Sequence, residues 1–292
     1  MDTIEFPLPE IPDVVAQPRA LEWNRPSRRR ILMVQPDYFC VRYAINPWMD
    51  VKHPVDLGRA QAQWMELHDH IAAYADVVVM PPVAELPDMC FTANGGLAMG
   101  RTFVPSNFRH AERRAEASWF EAWMRRQGFA IRRLPSSTVF EGAGDALFDR
   151  EQRLWMGFGQ RSDITAAALL SAMLDVKLIP LALRDPYFYH LDTCFCPLSS
   201  GHVVFYPDAF APQSLDAIER FIPAKFRIPV TREDAGRFAC NMVDLGDVVI
   251  AHYASPALRE ALLRAGREVQ IVDLSEFIKA GGGAKCLTLT LN

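Results

Sequence analysis

Residues 154–181 read LWMGFGQRSDITAAALLSAMLDVKLIPL and contain the pattern of a strand, a helix and a second strand. The two ends, Leu154–Phe158 and Lys177–Leu181, are short apolar runs typical of buried strands. Between them, Asp163–Leu174 has the length and residue types of a helix. This stretch therefore predicts an α/β fold class.

The same unit recurs along the chain. Four further helices are predicted at Asp56–Tyr74, Arg109–Gln127, Ser214–Phe221 and Pro256–Ala265. Further strands are predicted at Ile31–Val34, Asp76–Met80, Phe129–Leu134, His202–Tyr206, Asp247–Ala251, Val269–Val272 and Lys285–Leu291. About five such units favour a pseudo-repeating α/β fold, although a doubly wound sheet fits almost as well on these grounds alone. Several strands follow one another without a helix, which disfavours an all-parallel sheet.

Local signals mark the ends and faces of the helices. Ser255 precedes a proline and predicts the N-cap of the last helix. Gly128 and Gly266 stand where the C-terminal glycines of helices belong. In the second helix, Trp119 and Trp123 are assigned to the side that faces the core.

Length, composition and charge limit the class of protein. Half of the 292 residues are apolar and 23% are charged, so a full hydrophobic core is expected. A net charge of -4 gives no electrostatic reason to expect a nucleic-acid partner. No run of about 18 apolar residues occurs, so no membrane span is predicted. Residues 1–30 are proline-rich and lack a secretory signal, so we expect an extended arm before one domain at residues 31–292.

The six cysteines, at positions 40, 90, 194, 196, 240 and 286, are spread along the chain. Their spacing does not resemble a disulfide framework, and without an export signal a cytoplasmic location is expected. Cys194 and Cys196 lack a matching second pair, so no zinc site is predicted.

Two segments carry acids or a histidine in unusual settings. The sequence Phe140–Asp145, FEGAGD, predicts a tight turn with carboxylates beside it, and a surface turn is its simplest interpretation. The segment Tyr187–Phe195 alternates His190 and Asp192 with apolar residues, so on a strand both would point the same way. A structural hydrogen bond between these two side chains explains that pattern as well as a functional role does.

A third segment lies near the C-terminus. Residues 281–288 read GGGAKCLT, so three glycines bring Cys286 to the start of the last predicted strand. The spacing does not match a phosphate-binding loop. A flexible loop before a buried thiol and a reactive thiol that a ligand approaches closely are both compatible with it.

In this order, the three segments resemble the motifs of guanidino-group-modifying enzymes: arginine deiminase, dimethylarginine dimethylaminohydrolase and the amidinotransferases. The resemblance covers residues 31–291 and implies the pentein fold, a five-bladed pseudosymmetric α/β propeller. It further implies a catalytic set of Glu141, His190 and Cys286.

The resemblance also implies substrate-binding residues, which are Asn46, Asp88, Asn94, Arg113, Arg161 and Asp192. Arg113 and Arg161 would bind the substrate carboxylate, and Asp192 with Glu141 would hold the guanidinium. Asn94 stands where the family has an acid. Together with the segment Ile45–Met49, it is similar to the arginine dihydrolases of cyanobacteria, which convert arginine to ornithine, ammonia and carbon dioxide.

The implied chemistry is attack of the Cys286 thiolate on the guanidine carbon, through a covalent thiouronium and with no metal or organic cofactor. Arginine dihydrolase and arginine deiminase are the expected activities on this small-molecule substrate. Dimethylarginine hydrolysis, amidino transfer and a non-catalytic arginine-binding role stay open as alternatives. The sequence does not set the oligomeric state, and a homo-oligomer is one option.

Overall fold

The computed structural model describes residues 28–291. The strands of this part are β1 (Arg30–Val34), β2 (Asp76–Met80), β3 (Gly96–Met99), β4 (Thr102–Pro105), β5 (Ala130–Ile131), β6 (Ala146–Phe148), β7 (Leu154–Phe158), β8 (Leu178–Ala182), β9 (Phe195–Pro197), β10 (Val203–Phe205), β11 (Arg227–Pro229), β12 (Val243–Asp244), β13 (Val248–Ala251), β14 (Glu268–Ile271) and β15 (Leu289–Thr290). The α-helices are α1 (Leu57–Ala72), α2 (Glu116–Arg126), α3 (Gly142–Asp145), α4 (Thr165–Leu174), α5 (Pro212–Phe221), α6 (Arg232–Gly236), α7 (Pro256–Arg264) and α8 (Ser275–Ile278). Most of the expected N-terminal arm lies outside the described residues, so the arm and the single domain stay predictions.

The strands form five sheets of three strands each, and all five share one topology. In the second sheet, β3 pairs antiparallel with β4, and β5 returns through α2 to pair parallel with β4. The other sheets repeat this order with α1, α4, α5 and α7 as their crossover helices. The expectation of five units is confirmed, and a doubly wound sheet is excluded because no sheet of the described chain holds more than three strands.

The chain closes its ring of blades with its last strand. β15 pairs antiparallel with β1, with Thr290 opposite Ile31 and Leu289 opposite Leu32. The first blade is therefore completed only by the C-terminal end of the chain. This pairing brings the segment that carries Cys286 beside residues more than 180 positions earlier, such as Ala93, whose N–H donates to the Cys286 carbonyl.

Several local predictions are confirmed. Strands Asp76–Met80 and Leu154–Phe158 have the predicted bounds. The Ser255 hydroxyl accepts a hydrogen bond from the Leu258 N–H at the start of α7. Within residues 28–291, no helix has the length and apolar character needed to cross a bilayer.

The assignment of Trp119 to the core is wrong. Its side chain is 47% exposed, whereas Phe120, Trp123 and Met124 are buried. Helix α2 begins only at Glu116, which is itself buried because it pairs with Arg113. This buried ion pair turns the helix so that positions 116, 120, 123 and 124 face inward, at the spacing of one helical face.

The segment Tyr187–Phe195 does not form the strand on which His190 and Asp192 would point the same way. Residues Pro186–Phe188 and Leu191–Thr193 form 3-10 turns, and the strand begins only at Phe195. The Cys194 N–H donates to the Leu191 carbonyl, a local hydrogen bond in place of one to a neighbouring strand. The alternation of His190 and Asp192 therefore does not place them on one strand face.

Candidate active site

The site is built from turns at equivalent places in the blades. Each turn precedes the first strand of a blade, namely β3, β6, β9, β12 and β15. The residues that these turns contribute are Asn94, Glu141, His190, Asp192, Asn241 and Cys286. Because each turn has the same place in its blade, the five turns can meet although their residues are spread over almost 200 positions of the chain.

The Glu141 side chain accepts hydrogen bonds from two other side chains, those of His190 and Arg161. Its Oε2 atom accepts from His190 Nε2 at 2.8 Å and from Arg161 Nη1 at 2.9 Å. Its Oε1 atom accepts from the Arg109 N–H at 3.0 Å. Burial alone would raise the pKa of Glu141, but Arg161 and His190 outweigh burial and hold that pKa well below its usual range. With both oxygens engaged, Glu141 is better placed to orient His190 than to hold a guanidinium.

The other imidazole nitrogen faces Asn94. The Asn94 Nδ2 atom lies 3.4 Å from His190 Nδ1, while Asn94 Oδ1 accepts from Arg113 Nη1 at 2.8 Å. A proton on Nε2 allows donation to Glu141, while Nδ1 can accept from the Asn94 amide. A Cβ atom at Gly144 would lie 2.3 Å from Asn94 Nδ2, so only glycine permits this approach.

Cys286 lies in a turn that precedes β15 rather than in the strand itself, because the Leu287 N–H donates back to the Gly283 carbonyl. Its thiol donates to Asp192 Oδ2 at 3.3 Å and receives a hydrogen bond from Asn241 Nδ2 at 3.1 Å. Burial, and next the Asp192 carboxylate, raise the pKa of Cys286 well above its usual value. A cation close to the sulfur would favour the thiolate form.

Two buried carboxylate oxygens have no hydrogen-bond partner among the described residues: Asp88 Oδ1 and Asp192 Oδ1. Burial raises the pKa of Asp192 to about 7, and the charge of Lys285 opposes that rise. Tyr43 donates to the other oxygen of Asp88 at 2.9 Å. Unpaired buried acceptors are unfavourable, so both oxygens are suited to a cationic ligand that brings N–H groups.

The two arginines expected to bind the substrate carboxylate make other contacts in the structure. Arg113 donates from Nε and Nη2 to Glu116 at 2.8 and 2.7 Å. Arg161 donates from Nη2 to the Ile45 carbonyl at 2.9 Å, beside its bond to Glu141. The expected clamp stays a prediction, and a ligand carboxylate would have to compete with or share these bonds.

A short segment, residues 43–48, covers the site. Asn46 donates to the Ala280 carbonyl at 3.1 Å, and Trp48 Nε1 donates to the Tyr187 carbonyl at 2.9 Å. Beneath this covering segment, His190 and Asp192 are fully buried and Cys286 is 1% exposed. The reacting side chains are therefore shielded from solvent in this structure.

The structure thus joins all nine residues expected from the sequence through one chain of contacts. Cys286 contacts Asp192 and, through its carbonyl, the N–H of Ala93, which precedes Asn94. From Asn94 the hydrogen bonds continue to His190, Glu141 and Arg161, and Arg161 donates to the carbonyl of Ile45, which precedes Asn46. Arg113 donates to Asn94 and to the Asp88 carbonyl. Their catalytic and binding roles stay predictions.

Two buried polar residues of the site were not assigned from the sequence. Asp145 accepts from Ser162 Oγ at 2.7 Å and from the Leu191 N–H at 3.0 Å, and so ties two turns together. Asn241 contacts Cys286 directly. Asp145 stands in the quoted FEGAGD motif, whereas Asn241 has no surrounding motif, and only its place before the first strand of a blade marks it.

A five-bladed α/β propeller with a buried cysteine, histidine and glutamate in its turns defines the class of guanidino-group-modifying enzymes that the sequence motifs indicated. Residues 44–292 match the family model described as N,N dimethylarginine dimethylhydrolase, eukaryotic. The chain belongs to this family.

Curated relatives include the bifunctional arginine dihydrolase/ornithine cyclodeaminase ArgZ of Synechocystis, which is 48% identical over 262 residues. That match covers 89% of this chain but only 37% of the relative. The N(G),N(G)-dimethylarginine dimethylaminohydrolase of Mycobacterium tuberculosis is 39% identical, over 91% of this chain and 87% of the relative.

Among solved structures, the product-bound N-terminal domain of ArgZ, described as a cyanobacterial arginine dihydrolase, superposes with a TM-score of 0.89. It is 47% identical, and the match covers 91% of this chain and 98% of that one. Further structures of that domain include a cysteine-to-serine variant bound to substrate and an asparagine-to-serine variant covalently bonded to a reaction intermediate. The pentein fold expected from the sequence is confirmed.

Proposed function

We propose that the chain hydrolyses the guanidine group of arginine, as an arginine dihydrolase in the first place and as a deiminase in the second. The observation that carries the proposal is the unpartnered Asp192 Oδ1, on the carboxylate whose other oxygen accepts from the Cys286 thiol. A guanidinium bound there places its carbon beside the nucleophile. Each charge-assisted hydrogen bond to such a carboxylate contributes about 1.5–3 kcal/mol.

Binding of the cation prepares the nucleophile. The guanidinium replaces the thiol as hydrogen-bond donor to Asp192, and its positive charge lowers the pKa of Cys286. The thiol proton passes to His190, and the thiolate forms a bond to the guanidine carbon. His190 then gives that proton to the departing nitrogen, which leaves as ammonia, and a thiouronium remains on Cys286.

Hydrolysis releases the enzyme. His190, oriented by Glu141, takes a proton from water, which adds to the thiouronium carbon. The carbon–sulfur bond breaks and citrulline is formed. In the dihydrolase, a second round of attack on the bound citrulline gives ornithine, a second ammonia and carbon dioxide, so that two waters are consumed for each arginine.

Asn94 favours the dihydrolase over the deiminase. It lies beside the His190 nitrogen that faces away from Glu141, and its amide carries no charge. A carboxylate in this place would bind a cation in preference to a neutral ureido group. The neutral amide removes that preference, so citrulline can stay long enough to be attacked again. The similarity to the dihydrolase domain of ArgZ supports the same choice.

Dimethylarginine hydrolysis is the second candidate, because the family model and the mycobacterial relative both point to it. Asp88, with its own unpartnered oxygen, would then bind the amino-acid end of either substrate. A cytoplasmic location and a homo-oligomeric state are further proposals that no contact within this chain decides.

Product analysis separates the candidates. Purified protein is incubated with arginine or with dimethylarginine, and amino acids and amines are measured by mass spectrometry. The dihydrolase yields ornithine with two ammonia per arginine, whereas a deiminase stops at citrulline. Dimethylamine release that is faster than ornithine formation would instead assign the second candidate, and no turnover of either compound would overturn the proposal.

A further inference from the structure

Asn241 comes from the blade of β12, β13 and β14, which contributes none of the expected catalytic or substrate-binding residues. It lies between α6 and β12, in the turn that corresponds to those of Asn94, Glu141, His190 and Cys286 in the other blades. Its side chain is fully buried. A buried primary amide needs partners for both its oxygen and its nitrogen, and all of them lie at the nucleophile.

The amide oxygen holds the backbone of the cysteine turn. Asn241 Oδ1 accepts from the Lys285 N–H at 3.0 Å and from the Cys286 N–H at 3.2 Å. These two bonds fix the turn that presents the thiol. A Cβ atom at Gly283 would lie 2.9 Å from this oxygen, so the third glycine of GGGAKC lets the amide come this close.

The amide nitrogen of Asn241 forms a hydrogen bond with the Cys286 sulfur. Asn241 Nδ2 donates to Cys286 Sγ at 3.1 Å and to the Asp192 carbonyl at 2.9 Å. The thiol therefore lies between one neutral donor, Asn241, and one acceptor, the Asp192 carboxylate. When the thiol ionises, the donor stabilises the thiolate without a charge that would repel a cationic substrate.

The backbone before Asn241 is in an unfavourable conformation. Phe238 is buried and has a φ of 60°, although it is not glycine. The Asn241 N–H donates to the Phe238 carbonyl at 3.0 Å, so this conformation directs the chain into the Asn241 turn. Left-handed backbone at a bulky residue is unfavourable and occurs mainly where a function requires it.

We propose that Asn241 is a positioning residue for the nucleophile, which orients the Cys286 thiol and stabilises its thiolate during attack on the guanidine carbon. The inference rests on the proposed role of Cys286. A purely structural role would be confined to the three backbone bonds, two accepted by Oδ1 and one donated by Nδ2 to the Asp192 carbonyl.

Replacement of the donor alone distinguishes these roles. Asn241→Asp keeps an oxygen for the Lys285 and Cys286 N–H groups but removes the Nδ2 donor to the sulfur and to the Asp192 carbonyl, and only the loss at the sulfur should change the ionisation of the thiol. Asn241→Ala, which adds no charge, is the second variant in case the first does not fold. Cys240→Ala, a buried neighbour in the same turn whose removal leaves the Cys286 contacts in place, is the matched control.

Alkylation of Cys286 by iodoacetamide is followed as a function of pH, with the modified peptide quantified by mass spectrometry. Asn241→Asp and Asn241→Ala should move the inflection of the alkylation rate to higher pH. At a fixed pH below the inflection, the alkylation rate should fall about tenfold for each pH unit of that shift. In turnover, kcat should fall about 100-fold with KM changed less than about threefold. Cys240→Ala should match the wild-type protein in both assays.

Unchanged alkylation and kcat in a folded Asn241→Asp variant would overturn the inference and leave only the structural role. A rise in KM alone would also overturn it. The alkylation assay needs no substrate, so absence of arginine turnover in the wild-type protein refutes the proposed function without deciding the role of Asn241.

Discussion

At the scale of single residues, the site combines a strongly anionic Glu141 with a thiol that resists ionisation. Arg161 and His190 keep the pKa of Glu141 low despite burial, whereas the buried Cys286 thiol has the Asp192 carboxylate and the neutral Asn241 amide as side-chain hydrogen-bond partners. In the proposed mechanism, formation of the thiolate therefore depends on the cation that the substrate brings.

Removal of the Asp192 charge tests this dependence. Because Asp192 raises the pKa of Cys286, Asp192→Asn should lower that pKa, and alkylation of Cys286 near neutral pH should accelerate. The thiolate fraction rises about tenfold for each unit by which the pKa falls. Arginine turnover should nevertheless be lost, since the guanidinium has lost its acceptor. Slower or unchanged alkylation would contradict the assignment.

The nucleophile itself has a direct test. Cys286→Ser should reduce turnover of arginine by at least about 1000-fold, because a hydroxyl is not ionised here. The thermal melting of the variant should stay close to that of the wild-type protein. Cys40→Ser, at a partly exposed cysteine outside the site, is the control that should keep full activity. Turnover of arginine by Cys286→Ser at the wild-type rate would contradict the mechanism.

At the scale of elements, the site depends on turns rather than on strands or helices. Asp145, at the end of α3, joins the Glu141 turn to the His190 turn through the Leu191 N–H. The sequence predicted the acids and glycines of these turns, since such residues are conspicuous among apolar strands. It did not predict the 3-10 turns around His190, because their backbone bonds are completed by Asp145, which lies 46 residues earlier.

Asp145→Asn tests the importance of this link. An amide presents one oxygen to the three donors that now share the carboxylate, namely the Leu191 N–H and the Ser162 N–H and hydroxyl. The free energy of unfolding should fall by about 1–3 kcal/mol, measured by urea denaturation. Asp69→Asn, at an exposed carboxylate, should change it by no more than about 0.5 kcal/mol. Equal stability of the two variants would show that the turns are held by other contacts.

At the scale of the whole molecule, the fivefold repetition explains why the sequence predicted the number of blades but not every residue of the site. Each blade repeats an antiparallel pair of strands, a helix and a parallel strand, so strand and helix periodicity was enough to predict the number of units. Each blade contributes one or two buried polar or thiol side chains from one turn to the site, and these residues have no periodicity. Asn241, a single amide next to apolar residues, was therefore missed, whereas Cys286 was marked by three glycines.

Closure of the ring couples the stability of the fold to the site. Leu289 of β15 is 1% exposed and lies three residues after Cys286. Leu289→Ala should lower the free energy of unfolding by about 2–5 kcal/mol and reduce activity, because the side chain packs in the hydrophobic core next to the turn that carries Cys286. Thr290→Ala, the exposed neighbour in the same strand, should leave both nearly unchanged. If Leu289→Ala retains full stability, closure through β15 does not hold the first blade together.

The central claim is that one sulfur atom carries the guanidine carbon during turnover. Protein quenched with acid during incubation with arginine can be measured intact by mass spectrometry and then digested to locate any adduct. We expect an added mass equal to arginine minus ammonia, confined to the peptide that contains Cys286. An adduct on another residue, or the same adduct in Cys286→Ser, would contradict the account.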